Sequence, residues 1–114
     1  MSKTERPWGY YNVLYENGPQ VKLKELTVEP GNMLSMQRHS KRSEYWFVAE
    51  GVATVYTINR SSDYELAGVY QKFQHIHIAT NQWHQLANET DEPLKIIEIQ
   101  YGEHCTEEDI QRQG

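Results

Sequence analysis

Apolar and polar residues alternate in short stretches along this chain and rarely run together for longer than a strand requires. Pieces of strand length, rich in Val, Ile, Tyr and Thr, cover residues 10–15, 21–28, 33–39, 44–49, 52–58, 73–78, 83–87 and 94–101. Clusters of turn-forming residues separate them, at Glu16-Asn17-Gly18-Pro19, Glu29-Pro30-Gly31-Asn32, Asn59-Arg60-Ser61-Ser62-Asp63 and Asn88 to Pro93. Many short strands joined by polar turns predict an all-β sandwich or small barrel. No linker, repeat or low-complexity segment interrupts the pattern, so residues 1–114 read as a single domain. Only the tail departs from it. Thr106 with Asp109 three residues on is an N-terminal capping pattern, and it predicts a helical turn or two over Glu107 to Gln113.

The same alternation sorts side chains by face. His75 and His77 fall opposite Ile76 and Ile78, which reads as a solvent-facing His pair over buried Ile. Lys22 and Lys24 share parity with Leu26 and Val28. An unbroken strand aims both lysines inward, whereas a bulge near Glu25 would turn them to water.

Composition changes this picture little. Hydrophobic residues make up 38%, with three Trp and eight Tyr, as a folded globular chain needs, and no apolar run approaches the ~20 residues that cross a bilayer. Lys3, Glu5 and Arg6 near the start are followed by no apolar core, so no secretory signal is read and a cytoplasmic chain is expected. At 114 residues the core is modest, and burial against a second copy is expected to help, which predicts a homodimer. The single cysteine, Cys105, leaves no partner for an internal disulfide and reads as a spare thiol. Eleven basic and sixteen acidic residues give a net charge of −5, which disfavours nucleic acid and anionic membranes as partners. Locally the balance reverses. Arg38, Lys41 and Arg42 surround His39 with no acid before Glu44, a setting suited to a small anion.

The densest chemistry lies in Gln37 to Glu44, framed by Gly31 and Gly51. In an extended strand Gln37 and His39 point the same way, and a turn through Ser40 to Ser43 brings Glu44 back toward them. His84 stands beside a later turn, in Trp83 to Asn88. Singly, each is an ordinary polar side chain at a strand end, and Gln37 has the further option of bonding to backbone. Jointly, two His, one Glu and one Gln make a mixed nitrogen and oxygen shell for one divalent ion, zinc foremost, with manganese, iron, cobalt or nickel also accommodated.

Gly31, Gln37, His39, Glu44 and Gly51 keep every interval of the first motif of the cupins, G-x5-H-x-H-x4-E-x6-G, with Gln in place of the first His. The second motif, P-x-G-x2-H-x3-N, falls on Ala79, Asn81, His84 and Asn88, and Asn81 is a mild replacement for Gly because Asn tolerates the left-handed conformation. The chain thus resembles the cupins. More narrowly it resembles the cupin domain of type II mannose-6-phosphate isomerases, through Arg6-Pro7-Trp8-Gly9, Leu26 to Gly31, the Gln37 to Trp46 segment, Ile96 to Glu103 and Glu108-Asp109-Ile110.

That resemblance implies a jelly-roll barrel with a Gln37, His39, Glu44, His84 metal set inside one mouth. It also implies interconversion of mannose 6-phosphate and fructose 6-phosphate. Arg42 is the catalytic candidate, and Arg42, Lys41, Lys22 and Lys24 are the candidates for binding the sugar phosphate. The chain departs from the family at Ser40 and Lys41, where His-His is usual, at Tyr45, usually His, and at Gln85, often Arg. Those departures keep a noncatalytic cupin that binds sugars or sugar phosphates in contention. Two His and one carboxylate also describe a nonheme-metal oxygenase site. Glu98 and the lysines are candidate bases, and Arg6 to Gly9 read as a pin for the N-terminal strand.

Overall fold

The computed structural model describes residues 3–113, and among them it contains strands and no helix. The strands are β1 (Lys3–Arg6), β2 (Gly9–Asn17), β3 (Val21–Val28), β4 (Gln37–Arg38), β5 (Arg42–Glu50), β6 (Ala53–Ile58), β7 (Tyr64–Tyr70), β8 (His75–Ile78), β9 (Gln85–Ala87), β10 (Leu94–Gly102) and β11 (Gln111–Arg112). A six-stranded sheet runs β1-β2-β3-β10-β5-β8, a three-stranded sheet runs β7-β6-β9, and β11 pairs with β4. Every pairing is antiparallel. The sheets form a jelly roll, with Leu26, Val28, Trp46, Val48, Val55, Ile76, Leu86 and Ile96 in its core.

The inward rows of the three central strands explain where a site can form. Along β10 the buried positions are Leu94, Ile96, Glu98 and Gln100, apolar at one end and polar at the other. On β5 they are Val48, Trp46, Glu44 and Arg42, and on β3 they include Val28, Leu26 and Lys24. Register sets the polar ends side by side, since Glu98 faces Lys24 on one flank and Trp46 on the other, while Gln100 faces Glu44. A hydrophobic layer therefore closes one end of the barrel and a polar layer opens at the other. The β3 and β10 pair is free of register shifts, so Lys24 points inward and is buried. The shift lies in the neighbouring strand instead, between Val13 and Tyr15.

Most predicted strands are present, with four differences. The β1 strand has no counterpart among the expected segments. Nor does β7, because Ala67 and Gly68 interrupt its alternation and Ala67 is the extra residue where the β6 and β7 register shifts. The segment 33–39 is mostly irregular. It touches the 84–87 segment only at intervals, through Leu34 N to Leu86 O at 2.9 Å and Gln37 N to His84 O at 2.9 Å. The predicted helical turn over 107–113 is corrected: Thr106 to Asp109 is a turn, and Gln111–Arg112 leave it as β11. A capping pattern marks a chain reversal, and pairing with β4 outweighs one isolated helical turn. His75 and His77 are exposed over buried Ile76 and Ile78, as their alternation implies.

Gly51 ends β5 with φ +86°, and a Cβ there would lie 2.5 Å from the carbonyl oxygen of Pro93. Both the backbone conformation and the close approach require glycine. Gly51→Ala is expected to cost at least about 1–3 kcal/mol, read as a lower urea midpoint at unchanged slope.

Candidate metal centre

Three segments bring candidate ligands to the polar mouth. His39 follows β4, Glu44 lies on β5, and His84 precedes β9. Gln37 and His84 exchange a pair of main-chain hydrogen bonds, each 2.9 Å, so residues far apart in sequence sit directly opposite one another. Ligand atoms of His39, Glu44 and His84 all lie within 4.8 Å of one another, and all three side chains are buried. His39 Nε2 is 3.4 Å from Glu44 Oε2.

Hydrogen bonds to main chain set both imidazoles. His39 Nδ1 lies 2.7 Å from the carbonyl oxygen of Asp109, and His84 Nδ1 lies 2.8 Å from that of Gln82. A carbonyl only accepts, so each Nδ1 carries the proton and each Nε2 presents its lone pair to the cavity. Burial, and then the charge of Arg42, lower the His39 pKa from 6.5 to about 4. Burial likewise holds His84 below its usual value. Neutral imidazoles, a carboxylate and converging lone pairs fit a divalent metal. Gln37 lines the same cavity. Its amide nitrogen is near the Ser35 carbonyl (3.4 Å) and hydroxyl (3.3 Å), leaving its oxygen for a cation.

Arg42 is buried against these ligands. Its Nε donates to Glu44 Oε2 at 2.9 Å, one terminal nitrogen donates to Thr106 O at 3.0 Å, and the other lies 3.2 Å from His39 Nε2. Glu44 Oε1 accepts from Trp46 Nε1 at 2.9 Å, and the same indole reaches Glu98 Oε2 at 3.2 Å. Burial, followed by the charge of Glu44, raises the Glu98 pKa from 4.5 to about 8. Gln100 donates to Glu98 Oε1 at 2.8 Å, while its own buried amide oxygen has no partner. Lys24 pairs with Glu107 at 2.8 Å.

The tail completes this wall. Asp109 accepts from Ser40 N (3.0 Å), Ser40 Oγ (2.8 Å) and Lys41 N (2.9 Å), which clasps the turn between His39 and Arg42. A cavity of about 380 Å³ opens in front, lined among others by Gln37, His39, Arg42, Glu44, His84 and Glu98. Of the expected anion-binding residues, Lys24 and Arg42 line it, while Lys22 and Lys41 do not. Arg6, Trp8, Glu107 and Arg112 do line it, though their sequence positions alone carried no binding signal. Ser40, Lys41, Tyr45 and Gln85, the family departures, all lie outside the lining. Gln85 instead donates to Leu34 O at 3.0 Å, and Tyr45 is exposed on the outer face of the sheet.

These shifts predict a stability optimum for the metal-free protein. The unfolded His39 imidazole takes its proton near 6.5 and the folded one only near 4, so over that range acid favours unfolding. Glu98 acts oppositely: unfolded it is ionised above about 4.5, folded it keeps its proton to about 8, so rising pH between those limits favours unfolding. With His84 adding to the His39 side, stability should peak near pH 6.5 and fall in both directions. Thermal unfolding in chelator from pH 4 to 9 measures this, and Glu98→Gln should remove only the alkaline arm.

Antiparallel sheets rolled around a buried His, Glu and His cluster define a cupin. Solved structures agree on that fold. The capsular polysaccharide assembling protein CapF of Staphylococcus aureus superposes with a TM-score of 0.80 at 15% identity, covering 97% of this chain and 33% of that one. The oxalate decarboxylase of Bacillus subtilis, which has Mn(II) centres, gives 0.78 at 20% identity, covering 98% and 30%. The chain belongs to the mannose-6-phosphate isomerase C-terminal family, which it matches over residues 1–114. It is similar to the alginate biosynthesis protein AlgA of Pseudomonas aeruginosa, 36% identical over 107 residues, 94% of this chain and 21% of the relative. It is also similar to the mannose-1-phosphate guanylyltransferase ManC of Salmonella typhimurium, 37% identical over 107 residues, again 94% and 21%. The chain thus spans about a fifth of the length of these curated relatives. No helix among the described residues is long and apolar enough to cross a membrane.

Proposed function

We propose that this domain is a metal-dependent isomerase that interconverts mannose 6-phosphate and fructose 6-phosphate. One observation carries the reading beyond family membership: each position where the chain departs from the family pattern lies outside the cavity, while His39, Glu44, His84 and Gln37 line it. The loss of an Arg at Gln85 therefore alters packing under Leu34 and leaves the cavity wall intact. A divalent ion, when bound by His39, Glu44 and His84 with Gln37, supplies Lewis-acid polarisation of the sugar carbonyl.

The chain's own groups do the rest. Interconversion moves one hydrogen from C2 to C1 and one from the C2 hydroxyl to the C1 oxygen, with no net oxidation. Glu98 faces the cavity with no metal-ligand role and no ion-paired lysine, and its ionised form, the fraction that grows as pH rises toward about 8, takes the carbon-bound proton and returns it. Trp46 Nε1 and Gln100 Nε2 fix that carboxyl from two sides, and Arg42 keeps Glu44 Oε2 oriented. A coupled assay on mannose 6-phosphate with zinc-loaded or manganese-loaded protein tests the reading. Binding without turnover would replace it with the noncatalytic one.

The homodimer expected from size has a candidate face. Tyr15, Leu23, Ile99, Tyr45 and His77 are successive register partners across the outer side of the six-stranded sheet, and Tyr15, Ile99 and Tyr45 are exposed. Light scattering should give twice the 13.4 kDa chain mass, and a single-chain mass at micromolar concentration rejects it.

A further inference from the structure

The Arg6-Pro7-Trp8-Gly9 segment does more than pin a strand. Arg6 ends β1 and pairs with Gly9 across the two-residue turn Pro7-Trp8. The turn is tight: Gly9 has φ +149°, and a Cβ there would lie 2.0 Å from Thr27 O. Glu29 N donates to Trp8 O at 3.0 Å, tying the turn to the barrel. Arg6 and Trp8 are thereby delivered to the rim of the cavity, with the Arg6 guanidinium 5.4 Å from the centre of the Tyr11 ring, itself a wall residue. Arg112 lines the same cavity from β11, where its register partner is Gln37.

The cavity-lining cations are Arg6, Lys24, Arg42 and Arg112. Two of them are already committed. Lys24 is ion-paired to Glu107, and the nitrogens of Arg42 go to Glu44, Thr106 and His39. Among the described residues Arg6 bonds only to the Glu5 carbonyl and, at 3.5 Å, the Tyr11 hydroxyl. Neither Arg6 nor Arg112 pairs with a carboxylate among the described residues, and both are exposed. Two guanidinium forks that line one cavity without a carboxylate partner suit a phosphate dianion, which each can grip with two N–H groups.

We propose that Arg6 and Arg112 form the phosphate-binding end of the cavity, gripping a hexose phosphomonoester at the mouth while its carbonyl end points to His39, Glu44 and His84. This rests on the isomerase reading for the sugar and adds which residues select the phosphorylated form. It moves that role from Arg42, whose bonds belong to the ligand set, to two residues at the rim.

The test is isothermal titration of the zinc-loaded full chain with mannose 6-phosphate, mannose and inorganic phosphate. The comparison is between wild type, Arg6→Gln/Arg112→Gln and the charge-keeping Arg6→Lys/Arg112→Lys. The Gln pair should lose about tenfold or more in affinity for mannose 6-phosphate and for inorganic phosphate, with unchanged mannose binding, zinc content and melting temperature, and the Lys pair should recover part of the loss. Unchanged affinity in the Gln pair overturns the proposal, as does equal affinity of the wild type for mannose and mannose 6-phosphate. If the Gln pair does not fold, Arg112→Gln alone is titrated, with a drop of about threefold or more expected and none overturning the proposal. Turnover with an unchanged KM in the Gln pair would remove the rim site and leave the isomerase standing. Arginine-dependent phosphate binding without turnover would do the reverse.

Discussion

Glu98→Gln is expected to lower isomerase turnover by about 10²–10⁴-fold while metal content stays at the wild-type level. The amide has the shape of the carboxyl but cannot take a proton from carbon. The structure also indicates why the substitution should be quiet otherwise. Trp46 Nε1 can still donate to the amide oxygen, and a flip of the Gln100 amide, whose nitrogen donates to Glu98 Oε1, turns its partnerless oxygen toward the new NH₂ group. Removal of a buried carboxyl whose pKa is pushed up to about 8 also takes away a desolvated charge beside Glu44 above that pH. Steady-state kinetics on metal-loaded protein provide the measurement. Activity within tenfold of wild type would assign the proton transfer elsewhere, Lys24 and Glu107 being the next groups along the wall.

His84→Ala should abolish stoichiometric metal. His84 supplies one of the two converging Nε2 lone pairs, and its Nδ1 contact to Gln82 O fixes the ring so that no neighbour can substitute for it. Elemental analysis after dialysis against zinc should fall from about one ion per chain to near zero. The variant should still fold, since the main-chain bridge between residues 37 and 84 does not depend on the side chain. Full occupancy in the variant would remove His84 from the ligand set, and with it the geometry that makes the mouth a metal site.

The convergence of Gln37, His39 and Glu44 was legible in the sequence because its physics is local: a period of two puts Gln37 and His39 on one side, and a short turn returns Glu44. His84 depended on the family spacing, since no local rule places residue 84 against residue 37. Burial of Lys24 followed from parity once the strand proved unbroken. The role of Arg42 was harder to see. Its charge reads as available for an anion, and only the folded arrangement reveals that its donors go to Glu44, His39 and Thr106. The tail was misread because Thr106 and Asp109 mark a reversal equally well for a helix or a turn, and the β4 partner that decides between them is remote in sequence. That Arg6 and Arg112 line one cavity was invisible for the same reason, since the two are remote in sequence.

The position of β10 has a consequence for how the molecule is made. This strand lies between β3 and β5 in the middle of the large sheet, yet among the described residues it is the last long strand in chain order. Until residue 102 or so has emerged, β3 and β5 present two unfilled edges to one another, and Glu44 has no Gln100 across from it. Such nonlocal pairing makes for slow closure. Before β10 is in place the domain is a set of hairpins with open edges, the state most exposed to association with other chains. Capture of metal then waits on the segment beyond β10, because the carbonyl of Asp109 sets the His39 tautomer.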